Sequence, residues 1–248
     1  MRARHLCFTA LALSVMVATA ASAQDDKKDD KKEEKLEDRA KSAAHVLANL
    51  VSDPKNAPPN KLLRSAVCMA IIPSVKSAAV VVGGQAGYGL ASCRVGNSWS
   101  LPTYISLKAG SVGFQIGGSA TDVALIFTHD DAPQLIAGNN FQIGGQASVA
   151  AGPVGSTIGA NTDFKKGSSI YSYSTKGAGL FAGVSLAGSD VHVDSKGNRS
   201  AYPEGIVPMD SDKSPKVADL LKTAAGPSTP TMVKPFTDAL EKRIGSAR

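Results

Sequence analysis

The sequence predicts an α+β fold: a glycine-rich antiparallel β core, sandwich-like or barrel-like, with helices flanking it at both ends. Three observations predict this class. Residues 76–194 form short runs in which apolar residues alternate with polar or small ones, and Gly, Asp, Asn or Pro separates the runs. The pentapeptide Phe-Gln-Ile-Gly-Gly occurs twice, at Phe114–Gly118 and Phe141–Gly145, as expected for a strand that ends in a turn or bulge. Helical periodicity precedes and follows this region.

Residues 1–23 have the pattern of a secretory signal peptide. An apolar stretch follows Arg2 and Arg4 and ends at Ala21-Ser22-Ala23, which fits a small-residue cleavage site. We therefore expect an exported protein, periplasmic or peripheral to the cell-envelope membrane, whose mature chain begins at Gln24. The doubled charges of residues 24–35 predict a solvated linker, because this segment has almost no apolar side chain to bury.

Helices are predicted on both sides of the β region. In Leu36–Val51 apolar residues recur every three or four positions, which predicts an amphipathic helix. Lys61–Met69 can be helical and runs through an apolar stretch into Pro73. We therefore divide the mature chain after its linker into a domain at 36–208 and a helical extension at 209–248. Shorter helical segments are expected at Asp131–Ala137, Pro215–Ala224 and Met232–Ile244. Strands are expected at Ala79–Gly84, Tyr88–Arg94, Ser100–Leu107, Val112–Gly117, Val123–Thr128, Asn140–Ala147, Ser156–Thr162, Ser169–Ser174 and Leu180–Asp194.

The mature chain keeps two cysteines, Cys68 and Cys93. An even pair in an exported, oxidising compartment predicts a disulfide. Closing a loop of about 25 residues would stabilise the fold by roughly 3 kcal/mol on the chain-entropy model. The alternative is two buried thiols or a metal pair, although no His or Cys lies nearby at ligand spacing.

Residues suited to catalysis are sparse. Asp190, His192 and Asp194 alternate, so on one strand they would share a face and could hold a metal, with His129 and its acidic neighbours as further ligands. An exposed polar strand end beside a turn at residues 195–198 explains the same pattern. Serine-nucleophile and nucleotide-binding motifs do not occur in the strand and helix context that they require. We expect no enzymatic activity and no cofactor, and a metal-dependent enzyme is the outside alternative.

The charge distribution favours some partners over others. Arg2 and Arg4 account for two of the six net positive charges, so the mature chain carries about +4 and permits an anionic partner without requiring one. Its basic residues are scattered and lack interleaved aromatics, which argues against nucleic-acid binding. Arg39 and Lys41 flank the apolar stripe of the first helix. That helix would either lie on an anionic membrane surface or pack its stripe against the domain.

Short motifs occur in a consistent order along the chain, at Ala66–Pro73, Gly83-Gly84, Gly87–Gly89, Trp99–Pro102, Gly113–Gly117, Thr121-Asp122, Ala150–Gly155, Tyr171-Ser172 and Lys176–Leu186. This ordered set is similar to the SYLF domain family of lipid-binding proteins. The resemblance runs from about Leu36 to Pro208 and departs from the pattern at Tyr202–Gly205. It implies binding of membrane lipids, phosphoinositides in eukaryotic members, with a contribution from an amphipathic N-terminal helix; some eukaryotic members also engage actin.

The signal-peptide pattern changes what the resemblance implies for this chain. It argues against phosphoinositides and actin as natural partners, so we expect an anionic phospholipid or another envelope lipid. The alternative is a structural or protein-interaction module of the envelope that binds no lipid. The residues expected to bind lipid are Arg39, Lys41, Leu47, Lys61 and Arg64.

Overall fold

The computed structural model describes residues 35–54, 57–79, 82–112, 117–143, 149–151, 170–174, 186 and 188–245. The predicted signal peptide, nearly all of the predicted linker and the predicted strand at Ser156–Thr162 lie outside these ranges. So do residues 113–116 of the first pentapeptide copy and residues 144–145 of the second.

The described chain begins with two helices, α1 (residues 35–52) and α2 (Asn60–Arg64). The strands β1 (Cys68–Ala79), β2 (Val82–Val95), β3 (Ser98–Trp99), β4 (Thr103–Val112) and β5 (Gly117–Phe127) follow. Next come helix α3 (Ala132–Ala137) and the strands β6 (Asn140–Gln142), β7 (Val149–Ala151), β8 (Ile170–Ser174) and β9 (Asp190–Val193). The last described elements are the helices α4 (Ser195–Ala201), α5 (Val217–Leu220) and α6 (Lys234–Ile244).

The described strands form one curled sheet in the order β6-β9-β4-β2-β1-β5-β8-β7, with β3 paired to β2. Neighbouring strands are antiparallel except for β7 and β8, which are parallel. Strand β1 is central, since β2 pairs along one side of it and β5 along the other. The predicted α+β class with an antiparallel β core is therefore confirmed.

Strand β1 corrects the prediction of a helix that runs through Met69. Helix α2 ends at Arg64, and the strand begins at Cys68. Residues Met69–Ile72 are all buried, because this part of the strand is covered on both faces of the sheet. A strand buried on both faces has a continuous apolar sequence, which periodicity cannot distinguish from a buried helix. The strand predicted at Ala79–Gly84 instead spans the connection between β1 and β2.

Helix α4 corrects a second prediction, since residues 195–198 were expected to form a turn. Asp194 is the N-cap of this helix, and its Oδ1 accepts a hydrogen bond from the backbone N–H of Gly197 at 3.0 Å. An aspartate at this position stabilises a helix start by satisfying an N–H that has no partner within the helix. The strand predicted at Leu180–Asp194 is described as β9 only over Asp190–Val193.

Buried side chains form one core on each face of the sheet. On the first face, α1 and α6 pack their apolar stripes against β1, β2, β4 and β5, and on the second, α3 covers the opposite sides of the same strands. Helix α5 contributes Leu220 to the first core and Val217 to the second. The first core includes Leu36, Leu47, Leu50, Leu62, Trp99, Tyr202, Phe236 and Leu240. The second includes Cys68, Ile72, Leu107, Leu125, Phe127, Ile136, Phe141 and Val217. The apolar stripe of α1 therefore packs against the domain, one of the two alternatives that the sequence left open.

The central strands contain two local features that fix their register. Between Ile71 and Lys76 the register of β1 shifts by one residue, and Ser74 there has a positive φ of 49°. The backbone N–H of Ser74 donates to Oδ1 of Asp122 on β5 at 2.9 Å, which stabilises this bulge. In β2, a Cβ atom at Gly89 would lie 2.1 Å from the carbonyl oxygen of Ile71, so only glycine fits.

Cys68 and Cys93 are directly opposite each other on β1 and β2 and form a disulfide. Both are fully buried in the second core. The structure thus contains the disulfide that the sequence predicts, and the bond joins two adjacent central strands.

Candidate functional site

The residues expected to bind lipid lie in two different places. Leu47 is fully buried in the first core, so its side chain faces the sheet in this conformation. Lys41 lies on the outer face of α1, and its Nζ is 2.8 Å from Oε1 of Glu37. Lys61 and Arg64 lie on α2 and line a cleft at the end of α6. The structure brings Lys61 and Arg64 together, and it places the α1 residues elsewhere.

Arg39 fastens the beginning of α1 to the sheet. Its Nη1 lies 2.9 Å from Oδ2 of Asp194, and its guanidinium carbon is 4.8 Å from the ring centre of Tyr88 and 5.3 Å from that of Tyr104. The hydroxyl of Tyr104 donates to the carbonyl oxygen of Leu36 at 3.0 Å. Burial raises the pKa of Tyr104, so this phenol stays a neutral donor at physiological pH. Arg39 therefore acts in the packing of α1 in this conformation.

A basic cleft lies between α2 and the C-terminal end of α6. It has a volume of about 930 Å³ and is open to solvent. Three of its lining residues are cationic: Lys61, Arg64 and Arg243. Among the described residues that line it, none is acidic; the others are Asn60, Leu63, Ser65, Ile244 and Gly245. This arrangement suits a ligand with negative charge, because guanidinium groups form strong, paired hydrogen bonds to phosphate and carboxylate oxygens.

One wall of the cleft is held in place from behind by Arg94. Its Nη1 donates to the carbonyl oxygen of Gly245, and its guanidinium carbon lies 4.3 Å from the ring centre of Trp99. Burial lowers the pKa of Arg94, and the nearby carboxylate of Glu241 opposes that shift. Glu241 also accepts from the backbone N–H of Trp99 at 2.8 Å, which ties α6 to the β2–β3 hairpin. The end of α6 is thus anchored at the cleft.

Sequence reasoning missed Arg243. It lies far along the chain from Arg64, in the last turn of α6. That helix was predicted from its apolar stripe alone. Basic residues in a last helical turn are common because they complement the negative end of the helix dipole, so the position carried no special signal. Only the packing of α6 beside α2 brings these two arginines to one cleft.

The residues weighed for metal binding do not form a centre in the described structure. Asp190 and His192 lie on β9, whereas Asp194 is engaged by Arg39 and by the start of α4. His129 Nδ1 is 2.7 Å from Asp131 Oδ1 on an exposed loop. Within the described ranges, no three His, Cys, Asp or Glu side chains come close enough to hold one ion. No described helix has the length and apolar character needed to span a bilayer.

Comparison with known proteins places the chain in a family. Residues 108–243 match a family model described as "Ysc84: Las17-binding protein actin regulator". The chain is 33% identical over 150 residues to SH3 domain-containing YSC84-like protein 1 of Homo sapiens, covering 60% of this chain and 43% of that protein. It is 33% identical over 148 residues to Protein YSC84 of Saccharomyces cerevisiae, covering 58% of this chain and 31% of that protein.

The similarity to these relatives covers only part of each protein. The chain spans less than half the length of these curated relatives. The family match includes Arg243, and it continues through residues 209–243, where α5 and α6 pack onto the two cores. Because the Ysc84 domain and the SYLF domain are the same domain, and the match covers more than half of the sequence, this chain belongs to the Ysc84/SYLF family.

Proposed function

We propose that this protein is an exported, non-catalytic protein that binds anionic phospholipid at the cell-envelope membrane through the basic cleft between α2 and α6. The observation that carries the proposal is the convergence of Lys61, Arg64 and Arg243 on an open cleft without an acidic lining residue in the described chain. Membership of the SYLF family and the signal-peptide pattern of residues 1–23 support it.

The expected strength of this interaction follows from its electrostatics. Each Lys or Arg near an anionic membrane surface contributes about 1 kcal/mol, so three give roughly 3 kcal/mol. This attraction decays within a Debye length, about 8 Å at physiological ionic strength. The protein therefore binds reversibly as a peripheral membrane protein, and its affinity falls as salt is added.

In this proposal helix α1 does not bind the membrane through its apolar stripe, although the sequence left that possibility open. Its apolar stripe, including Leu47, is buried against the sheet, and every fully exposed residue of the helix is polar. A Leu47→Glu variant would place a charge in the first core and should unfold the protein. Circular dichroism separates such a loss of fold from a specific loss of lipid binding.

Liposome co-sedimentation tests the proposal. Vesicles of phosphatidylcholine with increasing phosphatidylglycerol should bind the protein with increasing affinity, and added salt should weaken binding. The double variant Arg64→Ala/Arg243→Ala should bind roughly 30-fold more weakly, the equivalent of about 2 kcal/mol for two cations. Its matched control is Lys216→Ala/Lys222→Ala, which removes the same charge at exposed positions around α5. Equal affinities of the two double variants, or no binding to any vesicle, would contradict the proposal.

A protein-interaction module of the envelope is the second candidate, because the description of the family names a protein partner, Las17. It would be favoured if a single stoichiometric partner were recovered from envelope extract by both the wild type and the Arg64→Ala/Arg243→Ala variant, without dependence on lipid.

A further inference from the structure

A polar surface lies on the first face of the sheet, beyond the beginning of α1. Four adjacent strands bring Tyr88, Ser106, His192 and Asn140 into one row, since each is paired directly with the next. Tyr88 and Asn140 are exposed, His192 is half-buried and Ser106 is buried. Residues directly opposite in antiparallel strands project from the same face. With strands about 4.8 Å apart, the row extends about 14 Å across β2, β4, β9 and β6.

A second row runs parallel to the first, two residues away along the same four strands, and extends onto β1. It consists of Lys76, Ala86, Lys108, Asp190 and Gln142, which are also paired in register. All are exposed except Asp190, which is half-buried. Nε2 of Gln142 donates to Oδ1 of Asp190 at 3.4 Å. The two rows together form a surface of amide, imidazole, carboxylate and ammonium groups, which we call the Tyr88 face.

Tyr88 is a fixed aromatic platform on this surface. Its side chain is 52% exposed, the one large apolar side chain among the described residues with such exposure. The guanidinium of Arg39 lies against its ring, at 4.8 Å from the centre. The glycines on either side of Tyr88 hold β2 against β1, since a Cβ at Gly87 would lie 2.8 Å from a methyl of Ile72 and one at Gly89 would meet a backbone oxygen. The position of the ring is therefore fixed by its contact with Arg39 and by the close packing of β2 on β1.

The Tyr88 face is distant from the basic cleft. Gly245 of the cleft is held by Arg94, whose backbone N–H donates to the carbonyl oxygen of Val67, the residue just before β1. Lys76 lies eight residues further along β1 than Cys68, which corresponds to about 26 Å of extended strand. The two surfaces therefore lie near opposite ends of the central strand and can bind different ligands.

The chemistry of the Tyr88 face suits a sugar chain. The C–H groups on one face of a pyranose ring pack against the electron-rich face of an aromatic ring. Neighbouring amide and carboxylate groups, such as those of Asn140, Gln142 and Asp190, exchange hydrogen bonds with sugar hydroxyls. A bilayer surface would match this face less well, because Tyr88 is accompanied by hydrogen-bonding groups and, among apolar side chains of the described rows, only by the small methyl group of Ala86.

The charged side chains of the Tyr88 face favour an acidic sugar over a neutral one. Lys76 and Lys108 stand in one row with the single carboxylate of Asp190, and Arg39 lies beside Tyr88 with its charge balanced by Asp194. Within this row the two ammonium groups outnumber the one carboxylate, and that excess of one positive charge complements a ligand that carries acidic groups along its length. We propose that the Tyr88 face binds a chain of acidic sugars, with Tyr88 as the stacking residue, Asn140 and His192 as hydrogen-bonding residues and Lys108 as a charge partner. This site goes beyond the proposed lipid binding and uses other residues.

Isothermal titration calorimetry of the full chain with a hexamer of galacturonic acid tests this inference, and a hexamer of glucose is the neutral comparison. We expect the acidic hexamer to bind more tightly than the neutral one. Tyr88→Ala should weaken binding at least about 10-fold, whereas Tyr88→Phe, which keeps the aromatic ring, should retain it. Lys108→Ala should weaken binding of the acidic hexamer, and its matched control Lys222→Ala should not.

A second variant keeps the test independent of folding, because Tyr88 also contacts Arg39. Asn140 is exposed at the outer strand β6, so Asn140→Ala should leave the melting temperature unchanged and still weaken binding of the hexamer. Equal affinity of the wild type and both the Tyr88→Ala and Asn140→Ala variants, or no binding of either hexamer at millimolar concentration, would overturn the inference. It would also be overturned if the neutral hexamer bound as tightly as the acidic one. Loss of phosphatidylglycerol vesicle binding in Asn140→Ala, without any binding of sugars, would assign the face to the membrane instead.

Discussion

Arg39 and Asp194 form an ion pair at 2.9 Å although they lie 155 positions apart in the sequence. Each side chain is only 20% exposed. The second oxygen of the same carboxylate accepts from the N–H of Gly197 at the start of α4. One aspartate therefore joins the first helix of the described chain to a helix that follows the last strand, and the pair closes the first core at this end.

Arg39→Ala should lower the free energy of unfolding by about 1–3 kcal/mol, because it removes a charge-assisted hydrogen bond and two aromatic contacts. Urea denaturation of the purified protein measures the effect. Lys41→Ala is the matched control on the same helix, and loss of its exposed pair with Glu37 should cost less than about 0.5 kcal/mol. Equal losses in the two variants would show that Arg39 does not fasten α1.

Gly89→Ala should destabilise the sheet by more than about 1 kcal/mol, because its methyl group would overlap the backbone of β1 at Ile71. Thermal unfolding followed by circular dichroism measures the change. Gly110→Ala in β4 is the control, since beyond its chain neighbours no described atom lies within 4 Å of the position its Cβ would take. A Gly89→Ala protein that melts with the wild type would mean that β1 and β2 are further apart than described.

Reduction of the Cys68–Cys93 disulfide should lower the free energy of unfolding by roughly 3 kcal/mol, since the bond closes a loop with a sequence separation of 25. Denaturation curves with and without reductant measure this loss. A Cys68→Ala/Cys93→Ala variant supplies the control, because its stability should not respond to reductant. Wild-type protein that is equally stable in both conditions would indicate that the thiols are unpaired in solution.

Alkaline pH should destabilise the fold through buried tyrosines. Burial raises the pKa values of Tyr104, Tyr173 and Tyr202 above that of an exposed phenol, about 10. The folded state then holds these protons more tightly than the unfolded state, so their contribution is complete below pH 10 and is lost as the pH rises further. Urea midpoints measured from pH 8 to 11 should fall above pH 10. In the Tyr104→Phe variant the urea midpoint, taken relative to its own value at pH 8, should fall less steeply with pH than in the wild type. An equally steep fall in both proteins would contradict this account.

Much of the fold was predictable because its signals are local. The amphipathic period of residues 36–51 predicted α1, and the same kind of period in Met232–Ile244 predicted α6. The segment Asp131–Ala137 predicted α3. Strand β1 was not predictable in this way, since a strand buried on both faces has no alternation. The Asp194 cap of α4 was a usable signal, because aspartate before a polar segment is typical of a helix start as well as a turn.

The candidate sites were predictable only in part, because both depend on contacts between distant segments. The sequence singled out Lys61 and Arg64 as basic residues, but their neighbour Arg243 is placed by the packing of α6. It also singled out the alternation of Asp190 and His192, whose shared face the structure bears out. Strand order and register place these two side chains in rows with Tyr88 and Lys108. No local sequence pattern specifies that order or register.

The central position of β1 has a consequence for how the polypeptide reaches its native state. The β1–β2 hairpin forms from neighbouring residues, but the other edge of β1 pairs with β5, which brings Cys68 opposite Phe127. Until β5 emerges and docks, that apolar edge presents unpaired N–H and C=O groups, the situation in which nascent chains aggregate. The sooner β5 pairs with β1, the shorter the time for which this edge is open to other chains, because pairing between distant segments is the slower part of sheet formation.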